Sequence, residues 1–317
     1  MPLPLIGEVI NKLKKAKYFN KLKLIWGYNN AQIKEDNKWK VAFLTNKELF
    51  EPQVMYFRLC NSLGIFQTMM NSIFWESLHE EVLANYMDDF VILAKTMKKL
   101  EEQTIQFLKI AEKHNLCFKW SKCNFNIEEI PILGVIVGKG QVQIEQDKIK
   151  VVKEWKTPTK IKEVESFLGF VNFYRRFIQN FSHMAKPLNK LKEKKEWIWT
   201  EEYQQVFKEL KEKITSQPVL FLLKREGKFS VEMDASGHAI GKVLSQEQKE
   251  KWKPIAFLSR MMQLVERNYE IYDKKLLAIV VALTKWRQYL LDVIEPFEIW
   301  TDYENLKYFR ELHKLNR

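Results

Sequence analysis

Two short apolar runs flank an acidic pair in the first third of the chain. Residues 82–84 precede the tetrapeptide Tyr86-Met87-Asp88-Asp89, and residues 90–94 follow it. Two apolar runs separated by a tight polar step predict a β-hairpin. Asp is a common turn residue, so the pair could be turn residues and nothing more. Adjacent carboxylates in an apolar hairpin are costly unless a cation compensates them, so a divalent-metal site is the alternative.

The rest of the first 140 residues combines helical and strand periodicity. Apolar residues at helical spacing predict helices over residues 7–18, 66–78 and 100–114. Alternating or short apolar runs predict strands at residues 21–26, 31–34, 39–43, 54–57, 117–120 and 132–137. Helices interleaved with a mostly antiparallel sheet make the predicted fold class of this block α+β.

The pattern changes twice after this block. From about residue 146 it is helical, with helix starts at Thr157-Pro158 and at Thr200. After residue 218, strands are predicted at residues 229–234, 240–245, 255–259 and 297–302, with a helix over residues 269–290. We therefore divide the chain into residues 1–140, 141–217 and 218–317.

Two strands of the last block each end in an acid, Asp234 and Asp302, with a helix between them in sequence. Strands of this kind could bring two carboxylates together at one edge of a sheet. Such a pair suits a metal ion, but it can also mark two unrelated strand ends. The spacing alone leaves both interpretations open.

Composition narrows the choice of partner. The 317 residues carry a net charge of +12, and 13% of them are aromatic. A basic, aromatic-rich chain suggests a polyanion partner, nucleic acid first and an acidic membrane second. The charge alone is equally consistent with a merely lysine-rich soluble protein. Cys60, Cys117 and Cys123 lack metal-ligand spacing and indicate free thiols in a reducing compartment. No apolar run approaches the roughly 18 residues of a membrane span, and the N-terminus lacks a signal-peptide pattern, so we expect an intracellular protein of the cytoplasm or nucleus.

Five stretches together resemble one known family, the reverse transcriptase and ribonuclease H part of gypsy-class LTR retrotransposon Pol polyproteins. They occur in the family's order and spacing: residues 26–30 (Trp-Gly-Tyr-Asn-Asn), 66–71, 86–89, 167–178 and 265–270. The resemblance implies a right-hand-type polymerase palm with partial fingers in residues 1–140. It implies a helical thumb or connection in residues 141–217 and a truncated ribonuclease H-like α/β domain in residues 218–317. An unrelated metal phosphatase or nuclease would not explain this order of motifs.

The resemblance also implies particular site residues. In the palm of this family two Mg²⁺ ions, or Mn²⁺, carry nucleotidyl transfer, with Asp88 as a ligand and Asp89 in support. Asp234 and Asp302 match two metal-binding acids of the nuclease. Substrate-binding roles are implied for Tyr28, Gln67, Tyr86, Met87, Leu133 and Gly134. Tyr28 would lie under the 2′ position of a deoxynucleotide and Leu133-Gly134 would steady the primer, so the implied partners are an RNA/DNA template-primer and deoxynucleotides.

The chain departs from the family at one position in each site. Lys23 stands where the palm has its earlier Asp, five residues before Tyr28, and Lys275 stands where the nuclease helix has a Glu. Loss of a metal would lower the rate on the order of 10³-fold or more. We also expect the chain to begin inside the palm and to end before the last nuclease acid.

These departures leave two functional hypotheses. One is an active RNA-directed DNA polymerase with ribonuclease H. The other is a pseudoenzyme, a non-catalytic nucleic-acid-binding remnant that keeps the fold. The second predicts that the Lys23 ammonium lies within about 4 Å of the Asp88 carboxylate, as in an ion pair.

Overall fold

The computed structural model describes residues 3–14, 16–56, 59–193, 196–216, 218–224, 226–235, 239–291 and 296–301. The chain forms two compact units, residues 1–139 and 140–317. The α+β class predicted from the sequence is confirmed, since both units combine helices with sheet. The finer division into three domains stays a prediction.

The first unit is built from short helices around an antiparallel sheet. Its helices are α1 (Ile6–Leu13), α2 (Ser62–Ile73), α3 (Trp75–His79) and α4 (Met97–Lys113). Its strands are β1 (Tyr18–Lys23), β2 (Phe43–Leu44), β3 (Leu49–Phe50), β4 (Leu83–Tyr86), β5 (Asp89–Ala94), β6 (Asn124–Ile127), β7 (Glu129–Ile132) and β8 (Val135–Gly138).

The main sheet of this unit has the order β4-β5-β1-β6 and every neighbouring pair is antiparallel. The pairing of Tyr86 with Asp89 closes the predicted hairpin at its acidic end. On the other side of β5, Lys23 pairs with the same Asp89. The register therefore places position 23 directly beside the acidic pair.

Aromatic packing under the sheet fixes β5 in position. Phe90 is fully buried, and its ring centroid lies 5.3 Å from that of Phe74 and 5.5 Å from that of Phe107. Phe74 and Phe107 are themselves stacked at 4.6 Å. Aromatic pairs at these distances add about 0.5–1.5 kcal/mol each beyond the area they bury. This cluster anchors the strand that carries Asp89.

The second unit begins with helices and ends in a four-stranded sheet. Its helices are α5 (Gln146–Lys153), α6 (Ile161–Phe173), α7 (Phe181–Met184), α8 (Lys186–Leu191), α9 (Glu201–Thr215), α10 (Ile271–Lys285) and α11 (Arg287–Leu290). Its strands are β9 (Gln141–Ile144), β10 (Leu220–Phe221), β11 (Phe229–Ala235), β12 (Ala239–Gln248), β13 (Lys251–Met261) and β14 (Glu298–Thr301).

The large sheet of this unit has the order β13-β12-β11-β14, and β11 and β14 are parallel. The inner face carries Val231, Ile240 and Leu244, and α10 contributes Ala278 and Ala282 to the same core. The helix contacts β11 and β12. A helix laid across a sheet in this way buries one apolar face of each element.

Several predicted elements differ from the structure. The strand predicted over residues 39–43 is wrong except for Phe43, which begins β2: a 3₁₀ helix runs over Glu35–Val41, and its first turn carries two acids. The helix predicted over residues 66–78 divides at Phe74 into α2 and α3. The strand predicted over residues 132–137 is a hairpin, because Leu133-Gly134 forms the turn between β7 and β8. At residues 117–120, the described chain has a single bridge, between Phe118 and Leu24.

Among the described residues, none of the helices combines the length and apolar character that crossing a membrane requires.

Candidate active site

The acidic hairpin turns through two residues, Met87 and Asp88, between β4 and β5. Met87 has φ of 56°, and Asp88 is not among the residues of positive φ. A positive φ at only the first loop residue is characteristic of a type II′ turn, which follows the twist of a hairpin. Methionine is unfavourable in this conformation, so other contacts must stabilise it.

A buried glutamine supplies one such contact. The Met87 amide donates a hydrogen bond of 2.9 Å to Oε1 of Gln67, whose residue is 1% exposed. The Gln67 Nε2 donates in turn to Oδ1 of Asn71 at 2.9 Å. Gln67 was expected to bind substrate, and the structure shows that its amide holds the turn from below.

Asp88 is attached to the neighbouring strand through its backbone. Its carbonyl accepts a hydrogen bond of 2.9 Å from the Leu24 amide. Its side-chain Oδ1 is buried and has no hydrogen-bond partner among the described residues. Burial raises the pKa of Asp88, and the charge of Asp89 raises it further, while Lys23 acts in the opposite direction. Asp88 is therefore a carboxyl group in a poorly solvated position.

The segment after β1 closes over Asp88. Trp26 has φ of 52° and leads into the 3₁₀ turn Gly27–Asn30. A Cβ at Gly27 would overlap with Asp88 Oδ1 and lie 2.9 Å from Cζ of Phe66, so only glycine fits here. Tyr28 is 8% exposed, and its ring centroid lies 5.1 Å from that of Phe66. Burial raises the pKa of Tyr28, and the charge of Asp88 adds to this. The contact of this ring with a nucleotide stays a prediction.

Lys23 forms its ion pair with Asp89, at 3.4 Å from Nζ to Oδ1. The prediction that it would pair with Asp88 is wrong. The reason is the register: Lys23 is the cross-strand partner of Asp89, whereas Asp88 lies in the turn beyond the last pair. Lys21 lies on the same face of β1 two residues earlier, and its Nζ is 3.9 Å from the same Asp89 oxygen.

Lys21 was not singled out from the sequence. Its ammonium also donates a hydrogen bond of 2.8 Å to the carbonyl oxygen of Pro131. Side chains at i and i+2 of a strand share a face, so the Lys21-Leu22-Lys23 pattern could have indicated that two ammonium groups would meet the acid. The sequence predicted one lysine in place of a carboxylate. The structure shows two lysines, Lys21 and Lys23, beside the carboxylate of Asp89.

The residues present do not fit a two-metal site at this hairpin. Asp88 offers one unpartnered oxygen, but Asp89 already faces two ammonium groups and position 23 supplies a cation. Hard divalent cations take clusters of oxygen ligands. Within the described part of the chain, no group of three or more His, Cys, Asp or Glu side chains could hold a metal ion.

The other predicted palm residues occupy turns and strand ends. Tyr86 is the last residue of β4 and pairs with Asp89. Leu133 and Gly134 have φ of 50° and 78°, the two positive values of a type I′ hairpin turn. The predicted primer-contacting pair is therefore the tip of the β7–β8 hairpin.

Of the predicted nuclease residues, Asp234 and Lys275 lie in the part of the chain that the structure describes. Asp234 lies in β11, where the preceding residue Met233 pairs with Thr301 of β14. Asp302 lies outside the described residues. Lys275 is 8% exposed and belongs to the inward face of α10 with Ala278 and Ala282. The position where the resemblance implies a carboxylate thus holds a buried lysine.

Two family models match the chain. Residues 3–137 match a model described as reverse transcriptase (RNA-dependent DNA polymerase). Residues 199–299 match a model described as an RNase H-like domain found in reverse transcriptase.

Relatives and solved structures agree with these matches. The Tf2-3 and Tf2-4 transposon polyproteins of Schizosaccharomyces pombe are 34% identical over 307 residues, which is 96% of this chain and 23% of each relative. The chain thus spans about a quarter of the length of these curated relatives. A foamy viral protease-reverse transcriptase structure in complex with dsDNA has a TM-score of 0.80 at 22% identity, over 99% of this chain and 67% of that one. Another, in complex with an RNA/DNA hybrid, has a TM-score of 0.76 at 21% identity, over 95% and 41%.

Proposed function

Because this chain belongs to the reverse transcriptase and RNase H-like region of retrotransposon polyproteins, we propose that it binds nucleic acid on the polymerase scaffold while its two-metal nucleotidyl transfer is impaired. The gypsy class of the element is part of this proposal. So is the assignment of Asp88 and Asp89 as the remnant of the catalytic centre.

One observation carries the proposal: the Lys23 ammonium lies 3.4 Å from Asp89, where the family has a carboxylate on β1. A metal bound beside Asp88 would face the Lys23 charge at short range. Repulsion between like charges a few ångströms apart is several kcal/mol at the effective dielectric of a protein surface. Lys21 adds a second positive charge near the same oxygen. The protein's own ammonium groups thus neutralise the acid that a cation would otherwise balance.

The nuclease region supports the same conclusion. Lys275 is buried on the inner face of α10, at the position where the family places a metal-binding Glu. We propose that this change impairs the RNase H chemistry of Asp234 and Asp302 as Lys23 impairs the polymerase. A lysine stands in place of an expected carboxylate in each of the two sites. Two such changes favour the loss of both activities over a chance substitution in one site.

Nucleic-acid binding is supported by charge and by the neighbours. The net charge of +12 favours a polyanion. The foamy viral proteins of similar fold were solved with an RNA/DNA hybrid or double-stranded DNA. We propose a template-primer duplex as partner, with Tyr28, Tyr86 and Met87 facing it at the palm and Leu133-Gly134 supporting the primer strand.

Primer extension on an RNA template, with Mg²⁺ and separately Mn²⁺, tests the catalytic part. We expect no extension by the wild type. A wild type that extends primer, with the activity abolished by Asp88→Ala, would overturn the proposal.

Calorimetric titration with the divalent ion tests whether Lys23 is the reason for the expected loss of catalysis. Lys23→Asp should bind the metal, whereas the wild type should not. Lys109→Asp on the exposed face of α4 is the matched control, since it makes the same charge change away from Asp88 and Asp89 and should not create metal binding. Metal binding by wild type that depends on Asp88 would show that Lys23 does not exclude the ion.

Binding of a labelled duplex at a series of salt concentrations tests the retained function. Neutralised phosphates release counterions, so affinity should fall steeply as salt rises. Absence of binding at low salt would leave a folded remnant without this function.

A further inference from the structure

A small cavity lies beside the acidic hairpin, in the first unit, and is not part of the palm chemistry. It has a volume of about 270 Å³ and is lined by residues of α1, α2, α3 and β4. This is just below the lower end of the usual range of ligand pockets, about 300–1,000 Å³, so it suits one small planar group.

An unsatisfied amide lines this cavity. Asn85 is 5% exposed, and both its Nδ2 and its Oδ1 are buried with no hydrogen-bond partner among the described residues. A buried amide without partners costs about 1–3 kcal/mol, and such groups are rare in folded proteins. A ligand that bonds to this amide would supply the hydrogen bonds that both of its polar atoms lack in the described chain.

The neighbouring side-chain amide, that of Gln67, already has hydrogen-bond partners. Gln67 also lines the cavity, but it accepts from the Met87 amide and donates to Asn71. Asn85 is therefore the lining carboxamide whose donor and acceptor are both available. A carboxamide recognises a group that presents an acceptor and a donor side by side, and its commonest match among the bases is adenine.

The cavity walls add an aromatic surface and a positive charge. Trp75 lines the cavity and is 62% exposed, so its indole can stack on a base that enters. Lys12 of α1 also lines the cavity, and no ion pair within 4 Å joins it to an acid of the described chain. Glu8 of the same helix lines it too, and accepts a hydrogen bond from the Leu5 amide at the start of α1.

We propose that this cavity binds an adenine base carrying a phosphate, with Asn85 bonded to the base edge, Trp75 stacked on the ring and Lys12 near the phosphate. The base can come from a free adenine nucleotide or from an unpaired adenylate of a bound strand. The second source rests on the proposed nucleic-acid-binding function; the first does not.

Calorimetry of the full chain with AMP, GMP, CMP and UMP tests the site. AMP should bind most tightly. Asn85→Leu, which keeps the branching of the side chain and removes the amide, should weaken AMP binding about tenfold or more, while leaving thermal stability equal or higher. That combination separates a recognition role from a structural one.

Matched variants test the other two contacts. Trp75→Ala should weaken AMP binding about tenfold. Trp120→Ala, which removes another largely exposed indole that lies outside the cavity, should not. Lys12→Gln should weaken AMP but not adenosine, whereas Lys109→Gln on the exposed face of α4 should change neither. Equal binding of AMP and GMP, equal binding of AMP and nicotinamide, or an unchanged affinity in Asn85→Leu would overturn the proposal.

Oligo(dA) and oligo(dT) of equal length distinguish the two sources. An Asn85-dependent preference for oligo(dA) identifies the strand as the source. If both oligonucleotides bind equally with steep salt dependence and AMP does not bind, the cavity assignment fails and the nucleic-acid function stands. If AMP binds through Asn85 and neither strand binds, the free nucleotide is the source and the nucleic-acid function fails.

Discussion

Replacement of one buried lysine should stabilise the second unit substantially. Lys242 is 2% exposed and lies in β12 between Ile240 and Leu244, which face the core under α10. Its Nζ is buried without a hydrogen-bond partner in the described part of the chain. Burial, with the nearby charge of Arg260, lowers the pKa of Lys242 from 10.5 to about 7. At about 1.4 kcal/mol per pKa unit, the shift bounds the cost at about 5 kcal/mol, and relaxation of the surroundings reduces this to about 2–4 kcal/mol.

The pH dependence gives this prediction its sign. The pKa of Lys242 is lower in the folded chain than in the unfolded chain, so the unfolded chain binds more protons between about pH 7 and pH 10.5. The free energy of unfolding should therefore rise with pH across that window as far as Lys242 is concerned. Below pH 7 the penalty is constant. Lys242→Met removes the penalty, so its advantage over the wild type should be largest near pH 7 and shrink toward pH 10.5.

Urea unfolding of wild type and Lys242→Met at pH 7 and near pH 10 measures both quantities. Comparing the two proteins at each pH cancels the titration of the other lysines. Lys251→Met in the neighbouring strand is the control, because that side chain is exposed and the change should alter stability by no more than about 0.5 kcal/mol. A Lys242→Met protein that is less stable than the wild type, or an advantage that does not vary with pH, would refute the reasoning.

Two further changes test contacts described above. Gly27→Ala should destabilise the first unit by about 1–3 kcal/mol, because the added Cβ overlaps Asp88 Oδ1 and lies 2.9 Å from the Phe66 ring; an unchanged melting temperature would contradict the close approach. Glu266→Gln should cost about 1 kcal/mol, because Glu266 pairs with both terminal nitrogens of Arg260 at 2.8 and 2.9 Å. The folded pKa of Glu266 is lowered, so its contribution is present above the ordinary Glu value and is lost as pH falls through the folded one; chemical unfolding at pH 7 and in acid should show the variant and the wild type converging in acid.

The elements with the clearest periodicity were predictable from the sequence. The hairpin around Asp88 follows from two apolar runs and a polar step, and the structure has it with the expected partners. The amphipathic helix α4 differs from its predicted range by three residues at the start and one at the end. These elements depend on local pattern and on burial of one face, and both are properties of the sequence itself.

Other features depend on contacts that local pattern does not contain. Leu133-Gly134 lies within an apolar run, so the pattern predicts one strand there, although the glycine is also typical of a turn with positive φ. The ion pair of Lys23 required the cross-strand register, which is set by how β1 pairs with β5. Strand alternation favours a buried position for Lys242, since its neighbours at i−2 and i+2 are apolar. The residue type argues against it, because lysine is almost never fully buried unless it is paired.

The hydrogen bond from the Met87 amide to Gln67 has a consequence for engineering this protein. The bend that presents the acids is held by an uncharged amide and by backbone bonds rather than by the carboxylates themselves. Substitutions that alter the charges at positions 23, 88 and 89 can therefore be compared on one backbone shape. The number of positive and negative side chains at these positions can be varied while the backbone of the turn between β4 and β5 keeps its conformation.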